Sequence, residues 1–193
     1  MADTIRAFVA FKLPADIIAH AAQLQSALKA KGFRLRWVKP QNLHLTLKFL
    51  GDIPAAEAAN VGQAVQRAAH GKTPLALTVQ GLGVFPGIKR PRVLWVGLGG
   101  EVQGLLQLYS RVEDELAGLG FEKEKRGFTA HLTLARFKDR VAPDDLLQAF
   151  AELGNYAPKP FAANHMVLYK SDLRPQGAIY TPLTEVLLEQ DRQ

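Results

Sequence analysis

The sequence predicts an α+β fold that is built from two similar halves. Three observations favour it: apolar residues alternate between the strand period and the helix period, the order of these segments repeats, and one tetrapeptide occurs twice. We expect two pseudo-symmetric β-α-β-β-α-β lobes, each with a mostly antiparallel sheet backed by helices, facing each other across a central cleft.

The first half spans roughly residues 5–80 and begins with a strand. Its predicted strands are short apolar segments at 5–11, 34–38, 43–49 and 75–80. Its two predicted helices begin at Pro14 and just after Pro54, and they end at Gly32 and Ala69. Gly51-Asp52 is expected to break the chain after the third strand.

The second half, roughly residues 92–169, repeats this order and is followed by an extra strand. Its predicted strands cover 92–98, 130–136 and 161–169, with the extra strand at 178–188; a short stretch at 121–125 takes the place of the second strand. Its predicted helices cover 102–119 and the segment from Pro143 to near Gly154. Because no linker separates the halves, we expect residues 1–193 to form a single two-lobed domain.

Composition and charge limit the classes of function. The chain has no cysteine, which excludes disulfides and thiolate metal sites and favours a reducing, cytoplasmic location. Its net charge of +6 favours polyanionic partners such as nucleic acid. No apolar segment approaches the ~20 residues that span a membrane, and the start of the chain does not resemble a signal peptide.

The repeated tetrapeptide carries the chemistry. His44-Leu45-Thr46-Leu47 recurs as His131-Leu132-Thr133-Leu134, and the flanking residues match loosely, with Lys48-Phe49 corresponding to Arg136-Phe137. Because strand side chains alternate between faces, the histidine and threonine of each copy share one face and the leucines share the other. Both histidine–threonine pairs can therefore line one cleft.

Two imidazoles and two hydroxyls suit the hydrolysis of a phosphodiester. One histidine can activate water and the other can protonate the departing oxygen, while the hydroxyls donate to the non-bridging oxygens. A zinc site needs three or four His, Cys or carboxylate ligands, and both motif strands lack carboxylates. We therefore expect no metal and no cofactor, and no P-loop or serine triad is present in the sequence.

The chain resembles the two-histidine phosphoesterase superfamily, which is defined by paired His-x-Thr-x motifs. Within it, the chain is most similar to the RNA 2′,3′-cyclic phosphodiesterases, historically called 2′-5′ RNA ligases. The matching segments cover nearly the whole chain and are 6–10, 35–51, 83–86, 90–97 and 128–136. One departure is Gly127-Phe128-Thr129-Ala130, where family members often have Pro-Phe-Thr-Pro.

The resemblance implies a bilobal fold and metal-independent hydrolysis of a terminal 2′,3′-cyclic phosphate to a 2′-phosphate. By position, His44 resembles the acid that protonates the 3′-oxygen, and His131 resembles the base that activates water. Thr46 and Thr133 resemble the phosphate-binding hydroxyls. The pseudo-symmetry of the site leaves an exchange of the two histidine roles open.

Other residues have two interpretations each. Arg136 is five positions after His131, which places it on the opposite face of a regular strand, although a bulge would return it to the cleft and to the substrate. Phe11 can stack on an RNA base or belong to the core. Trp37 and Trp95 are expected in the core. Two basic groups can guide RNA or form solvated edges, namely Lys89, Arg90 and Arg92, and Arg34, Arg36 and Lys39.

The expected partner is an RNA or oligonucleotide that ends in a 2′,3′-cyclic phosphate, and the expected state is a monomer without membrane association. Two alternatives stay open. The same groups can join a cyclic phosphate to a 5′-hydroxyl without ATP, as a 2′-5′ RNA ligase. A non-catalytic RNA-binding module would retain the basic edges without needing both histidines.

Overall fold

The computed structural model describes residues 3–153 and 156–189. Within these residues the chain forms nine strands and four α-helices. The strands are β1 Thr4–Lys12, β2 Leu35–Trp37, β3 His44–Pro54, β4 Leu75–Phe85, β5 Val93–Gly100, β6 His131–Phe137, β7 Lys159–Ala163, β8 His165–Asp172 and β9 Ile179–Leu187. The helices are α1 Ala15–Ala30, α2 Ala58–Ala69, α3 Val102–Ala117 and α4 Pro143–Leu153.

The strands form two antiparallel sheets. The first sheet has the strand order β3-β1-β8-β9, and the second has the order β2-β6-β5-β4-β7. The helices pack on these sheets, so the predicted α+β class with two antiparallel sheets is confirmed.

The two halves of the sequence exchange strands. The sequence predicts that each half completes its own lobe. Instead, β4 from the first half pairs with β5, and β8 from the second half pairs with β1. Local periodicity does not contain this information, because it fixes which residues form a strand but not which strand becomes the neighbour.

Two strands continue past their predicted ends, one of them through the Gly51-Asp52 pair that was expected to break the chain. β3 extends to Pro54 through Gly51, and β4 extends to Phe85 through Gly81. Both glycines have positive φ, +73° and +69°, and each lies at a shift in the strand register. Glycine adopts this conformation without a Cβ clash, so the strand bends and continues instead of ending.

Two predicted segments in the second half differ from the structure. The single strand expected at 161–169 is divided at Asn164 into β7, in the second sheet, and β8, in the first. The stretch at 121–125 contains no strand. The predicted end of the last helix near Gly154 lies outside the described residues.

One continuous hydrophobic core joins the two sheets and the helices. α1 buries residues at helical spacing, Ile17, Ala21, Leu24 and Leu28. Its Gln25 donates to the carbonyl oxygens of Val38 and Leu134, at 2.9 and 2.8 Å, which fixes the helix against the second sheet. α2 packs against α3 and against β8 and β9. Among the described helices, none has the length and apolar character needed to cross a membrane.

Candidate active site

The two tetrapeptides lie on β3 and β6, which are in contact where the two sheets meet. Leu45 and Leu132 are fully buried on the helix side of their strands. The histidine and threonine of each motif are half-buried on the opposite face, as the strand period predicts. The structure therefore brings His44, Thr46, His131 and Thr133 to the cleft between the sheets.

Each motif histidine is held by a backbone carbonyl two residues before it. His44 Nδ1 lies 2.7 Å from the Asn42 oxygen, and His131 Nδ1 lies 2.6 Å from the Thr129 oxygen. A carbonyl oxygen can only accept, so Nδ1 must donate in both rings. This fixes the neutral tautomer and leaves Nε2 as the nitrogen that exchanges protons with a ligand.

The environment of both imidazoles disfavours the charged form. Burial lowers the pKa of His44, the hydrogen bond to Asn42 partly opposes this, and the positive charge of His131 lowers it further. Burial also lowers the pKa of His131, again partly opposed by its carbonyl partner. Because β3 and β6 are in contact, a positive charge on one motif histidine disfavours a positive charge on the other.

An aromatic cluster surrounds His44. The ring of Phe8 lies 4.9 Å from the imidazole, and Tyr180 meets it edge-on at 5.3 Å. Tyr169 stacks on Phe8 at 5.3 Å. The sequence did not indicate Tyr180 or Tyr169, because β8 and β9 reach His44 only through the strand exchange between the two halves.

His131 has an aromatic wall of its own. Phe85 meets the imidazole edge-on at 5.0 Å, and the centre of the Trp95 ring lies 6.1 Å from it. The prediction that Trp95 belongs to the core is therefore wrong, since this half-buried side chain lines the cleft. Its ring lies against Gly83, where any Cβ would clash with the ring atoms, so glycine is required beside the tryptophan.

Arg136 reaches the cleft through a β-bulge. Thr133 pairs with Trp95 and Ala135 pairs with Leu94, so Leu134 is an extra residue on β6. The bulge reverses the alternation and places Arg136 on the same face as His131 and Thr133. The guanidinium lies close enough to Tyr180 to lower its pKa, although burial outweighs this and keeps that pKa raised overall.

The first motif has the same bulge, with Leu47 as its extra residue. The positional counterpart of Arg136 is therefore Phe49, which corrects by one residue the alignment made from the sequence. Phe49 is 62% exposed, and its ring lies 5.8 Å from that of Phe8.

Phe11 does not line the cleft. Its side chain is 0% exposed and belongs to the hydrophobic core, so it has no surface to offer an RNA base. Phe8, three residues earlier, is on the opposite face of β1 beside His44. Residues 5–11 are apolar at almost every position, so the sequence could not distinguish the two faces of this strand.

A buried ion pair connects the strand of the first motif to the segment that precedes the second. Lys48 Nζ lies 2.7 Å from Glu113 Oε2 and 2.7 Å from the carbonyl oxygen of Glu122, and both charged side chains are only 6% exposed. Glu113 also accepts from the amide of Glu124 at 3.0 Å. This network fixes the start of the loop that leads to Thr129 and His131.

The same helix supports that loop further along. Tyr109 on α3 stacks on Phe128, with ring centres 4.4 Å apart. Burial, together with the negative charge of Glu113, raises the pKa of Tyr109 to about 12. The phenol therefore stays neutral at physiological pH, and it holds the residue next to Thr129 by stacking.

An open groove adjoins His131. Its volume is about 520 Å³, and its lining includes Trp95, Gly97, Phe128 and Thr129. A second groove of about 470 Å³ lies between the end of α1 and α4, and neither groove is lined by a residue of the two motifs. Within 3–153 and 156–189, no three histidine or carboxylate side chains are placed to hold a metal ion together.

This arrangement of paired motifs defines a class. The model of the LigT-like phosphoesterase family matches residues 11–95 and again residues 96–180. The protein belongs to this family of phosphoesterases.

Curated relatives match over almost the full chain. An RNA 2′,3′-cyclic phosphodiesterase from Aquifex aeolicus is 36% identical over 191 residues, covering 95% of this chain and 97% of the relative. Another, from Methanothermobacter thermautotrophicus, is 31% identical over 179 residues, covering 93% and 96%.

Solved structures share the fold. The crystal structure of a Thermus thermophilus protein superposes with a TM-score of 0.79 at 27% identity and covers 97% of this chain and 100% of its own. Escherichia coli LigT in complex with 3′-AMP has a TM-score of 0.74 at 27% identity, with the same coverage.

Proposed function

We propose that the protein hydrolyses RNA 2′,3′-cyclic phosphate ends to 2′-phosphate ends, without a metal, by general acid–base catalysis with His44 and His131. The observation that carries the proposal is the matched setting of the two imidazoles, each with Nδ1 held by a carbonyl and a threonine on the same face. The curated relatives named for this activity support the choice of substrate.

Hydrolysis requires one proton transfer from the attacking water and another to the departing oxygen, on opposite sides of the phosphorus atom. We assign His131 Nε2 as the base that takes a proton from water, and His44 Nε2 as the acid that gives one to the departing 3′-oxygen. Attack and departure lie roughly in line, which fits histidines placed on two facing sheets. Thr46 and Thr133 donate to the non-bridging oxygens, where negative charge develops.

The exposed ring of Phe49 takes the stacking role that was one of the two interpretations of Phe11. It is on the cleft face beside Phe8, and its exposure leaves a free aromatic surface. Unpaired RNA bases stack on such side chains whatever their identity, because every base has an aromatic face. The terminal base of the substrate would therefore lie near the first sheet, with its cyclic phosphate between the histidines.

An end-group assay tests the proposal. Purified protein is incubated in excess EDTA with an oligonucleotide that ends in a 2′,3′-cyclic phosphate, and the product end is identified by ³¹P NMR. A 2′-phosphate is the expected product. Binding of the oligonucleotide without turnover would instead favour the RNA-binding module, and a rate abolished by EDTA would contradict metal independence.

The pH dependence has a defined direction. The productive free enzyme has one imidazole charged and one neutral, and both pKa values lie below the ordinary 6.5. We therefore expect kcat/KM to be maximal below about pH 6.5 and to fall as the pH rises, because the acid is then lost. A bound phosphate anion raises both pKa values, so the alkaline limb of the single-turnover rate should lie at higher pH. A kcat/KM that still rises above pH 8 would contradict these assignments.

A second function, 2′-5′ RNA ligation, is considered because Thr129 and Ala130, the two residues before His131, line an open groove. A water nucleophile occupies about 30 Å³, whereas a groove of about 520 Å³ can hold a nucleoside whose 5′-hydroxyl replaces that water. The two functions are distinguished by adding a 5′-hydroxyl oligonucleotide and measuring the fraction of 2′-5′-linked product.

We further propose that residues 1–193 act as one two-lobed domain and as a monomer. Both sheets contain strands from both halves, so neither half can complete a sheet alone. Sedimentation equilibrium at micromolar concentration checks the monomeric state.

A further inference from the structure

Two arginines face each other across neighbouring strands at the edge of the second sheet. Arg36 on β2 pairs directly with Arg136 on β6. Residues paired in this way project from the same face of a sheet. Their neighbours Trp37 and Ala135 project to the other side, where Ala135 is fully buried and the Lys29 ammonium lies over the Trp37 ring at 5.2 Å. Arg36 therefore faces the cleft together with Arg136.

This pair of like charges has no neutralising partner in the part of the chain that the structure describes. The ion pairs formed there use other cations, on Lys31, Lys48, Arg67, Lys123, Lys159 and Lys170. Like charges placed directly opposite in a sheet are destabilising. A guanidinium group can bind a phosphate with paired hydrogen bonds, so two of them on one face of neighbouring strands favour a phosphate ligand.

The position of the pair differs from that of the reacting phosphate. Arg136 is five residues along β6 from His131, so their Cα atoms are separated by at most roughly 17 Å at a rise of about 3.3 Å per residue. Arg136 approaches Tyr180, which packs on His44. Arg36 lies one strand spacing further out, about 4.8 Å. The pair thus borders the reaction centre on the side where β2 forms the open edge of the sheet.

We propose that Arg36, together with Arg136, binds the phosphodiester immediately upstream of the cyclic end, so that the enzyme prefers an oligonucleotide to a cyclic mononucleotide. This inference rests on the proposed function. The threonines hold the cyclic phosphate, and the arginine pair holds the next phosphate along the chain. Such contacts position the strand and carry no sequence information.

The test compares a 2′,3′-cyclic mononucleotide with a trinucleotide that ends in the same group. Wild-type protein should have a higher kcat/KM for the trinucleotide, and Arg36→Gln should reduce the ratio of the two values about 10-fold, as expected for a charge-assisted contact. The dependence of log kcat/KM on log salt for the trinucleotide should become shallower by about 0.7 per lost phosphate contact. The matched control is Arg111→Gln, because Arg111 lies on the helix side and donates to a carbonyl of α2.

A modified substrate isolates the contact. A trinucleotide with an uncharged methylphosphonate at the upstream linkage should lose at least the same factor with wild-type protein, since both arginine contacts are weakened, and Arg36→Gln should then cause no further loss. Independent, additive losses would overturn the inference while leaving the proposed function standing. Affinity for the trinucleotide 2′-phosphate is measured in parallel. If no substrate is hydrolysed, the proposed function fails, and an unchanged affinity in Arg36→Gln would overturn the arginine subsite separately.

Discussion

Replacing either motif histidine with alanine should lower kcat by about 10²–10⁴-fold, the range for a general acid or base. Both imidazoles are half-buried on the cleft face and donate only to a local carbonyl, so the fold should be retained. Single-turnover rates on a cyclic-ended oligonucleotide measure the effect, and circular dichroism checks the fold. The matched control is His70→Ala at the exposed end of α2, which should have the wild-type rate.

The two histidine variants also separate the roles. If His44 is the acid, His44→Ala loses the alkaline limb of the pH profile, and His131→Ala loses the acidic limb. Because the two groups act as a unit, the double variant should be little slower than either single variant. A wild-type rate in either single variant would contradict the assignment of that histidine, and exchanged limbs would reverse the two roles.

Glu113→Gln should lower the free energy of unfolding by about 3–5 kcal/mol, because it leaves Lys48 charged and buried without its partner. The control is two residues along the same helix. Glu115 forms an exposed ion pair with Arg67, and Glu115→Gln should cost no more than about 1 kcal/mol. Urea unfolding followed by circular dichroism measures both values.

A paired replacement tests the cause of that loss. Lys48→Met combined with Glu113→Leu removes both charges and should recover most of the stability, since a buried ion pair is often replaced by apolar residues at little cost. Equal losses for Glu113→Gln and Glu115→Gln would contradict the account. Because Glu113 also holds the amide of Glu124, Glu113→Gln should reduce kcat even where the protein is folded.

The motif strands were predictable because their chemistry depends on local periodicity. His44 and Thr46 share a face for the same reason that Leu45 is buried beneath them, and the second copy repeats the pattern. The position of Arg136 required one more fact, the bulge at Leu134, which the sequence allowed but did not fix. A bulge depends on the register with the neighbouring strand, and register is a property of the pair of strands.

The residues that surround the histidines were less predictable. Phe11 and Trp95 are on strands that are apolar on both faces, so alternation could not decide which side faces the cleft. Tyr180 reaches His44 from β9, more than 130 residues away in the chain. Its place follows from the exchange of strands between the halves. That exchange is a long-range pairing, and no short segment of sequence carries a signal for it.

Histidine NMR tests most directly whether the two imidazoles meet at one phosphate. The chain has five histidines, so their ring signals can be assigned by single substitutions. Titration with a nucleoside 2′-phosphate, the expected product, should shift the signals of His44 and His131 at the same ligand concentration and raise both pKa values, leaving the other three unchanged. Perturbation of only one of these two rings, or of neither, would contradict the account.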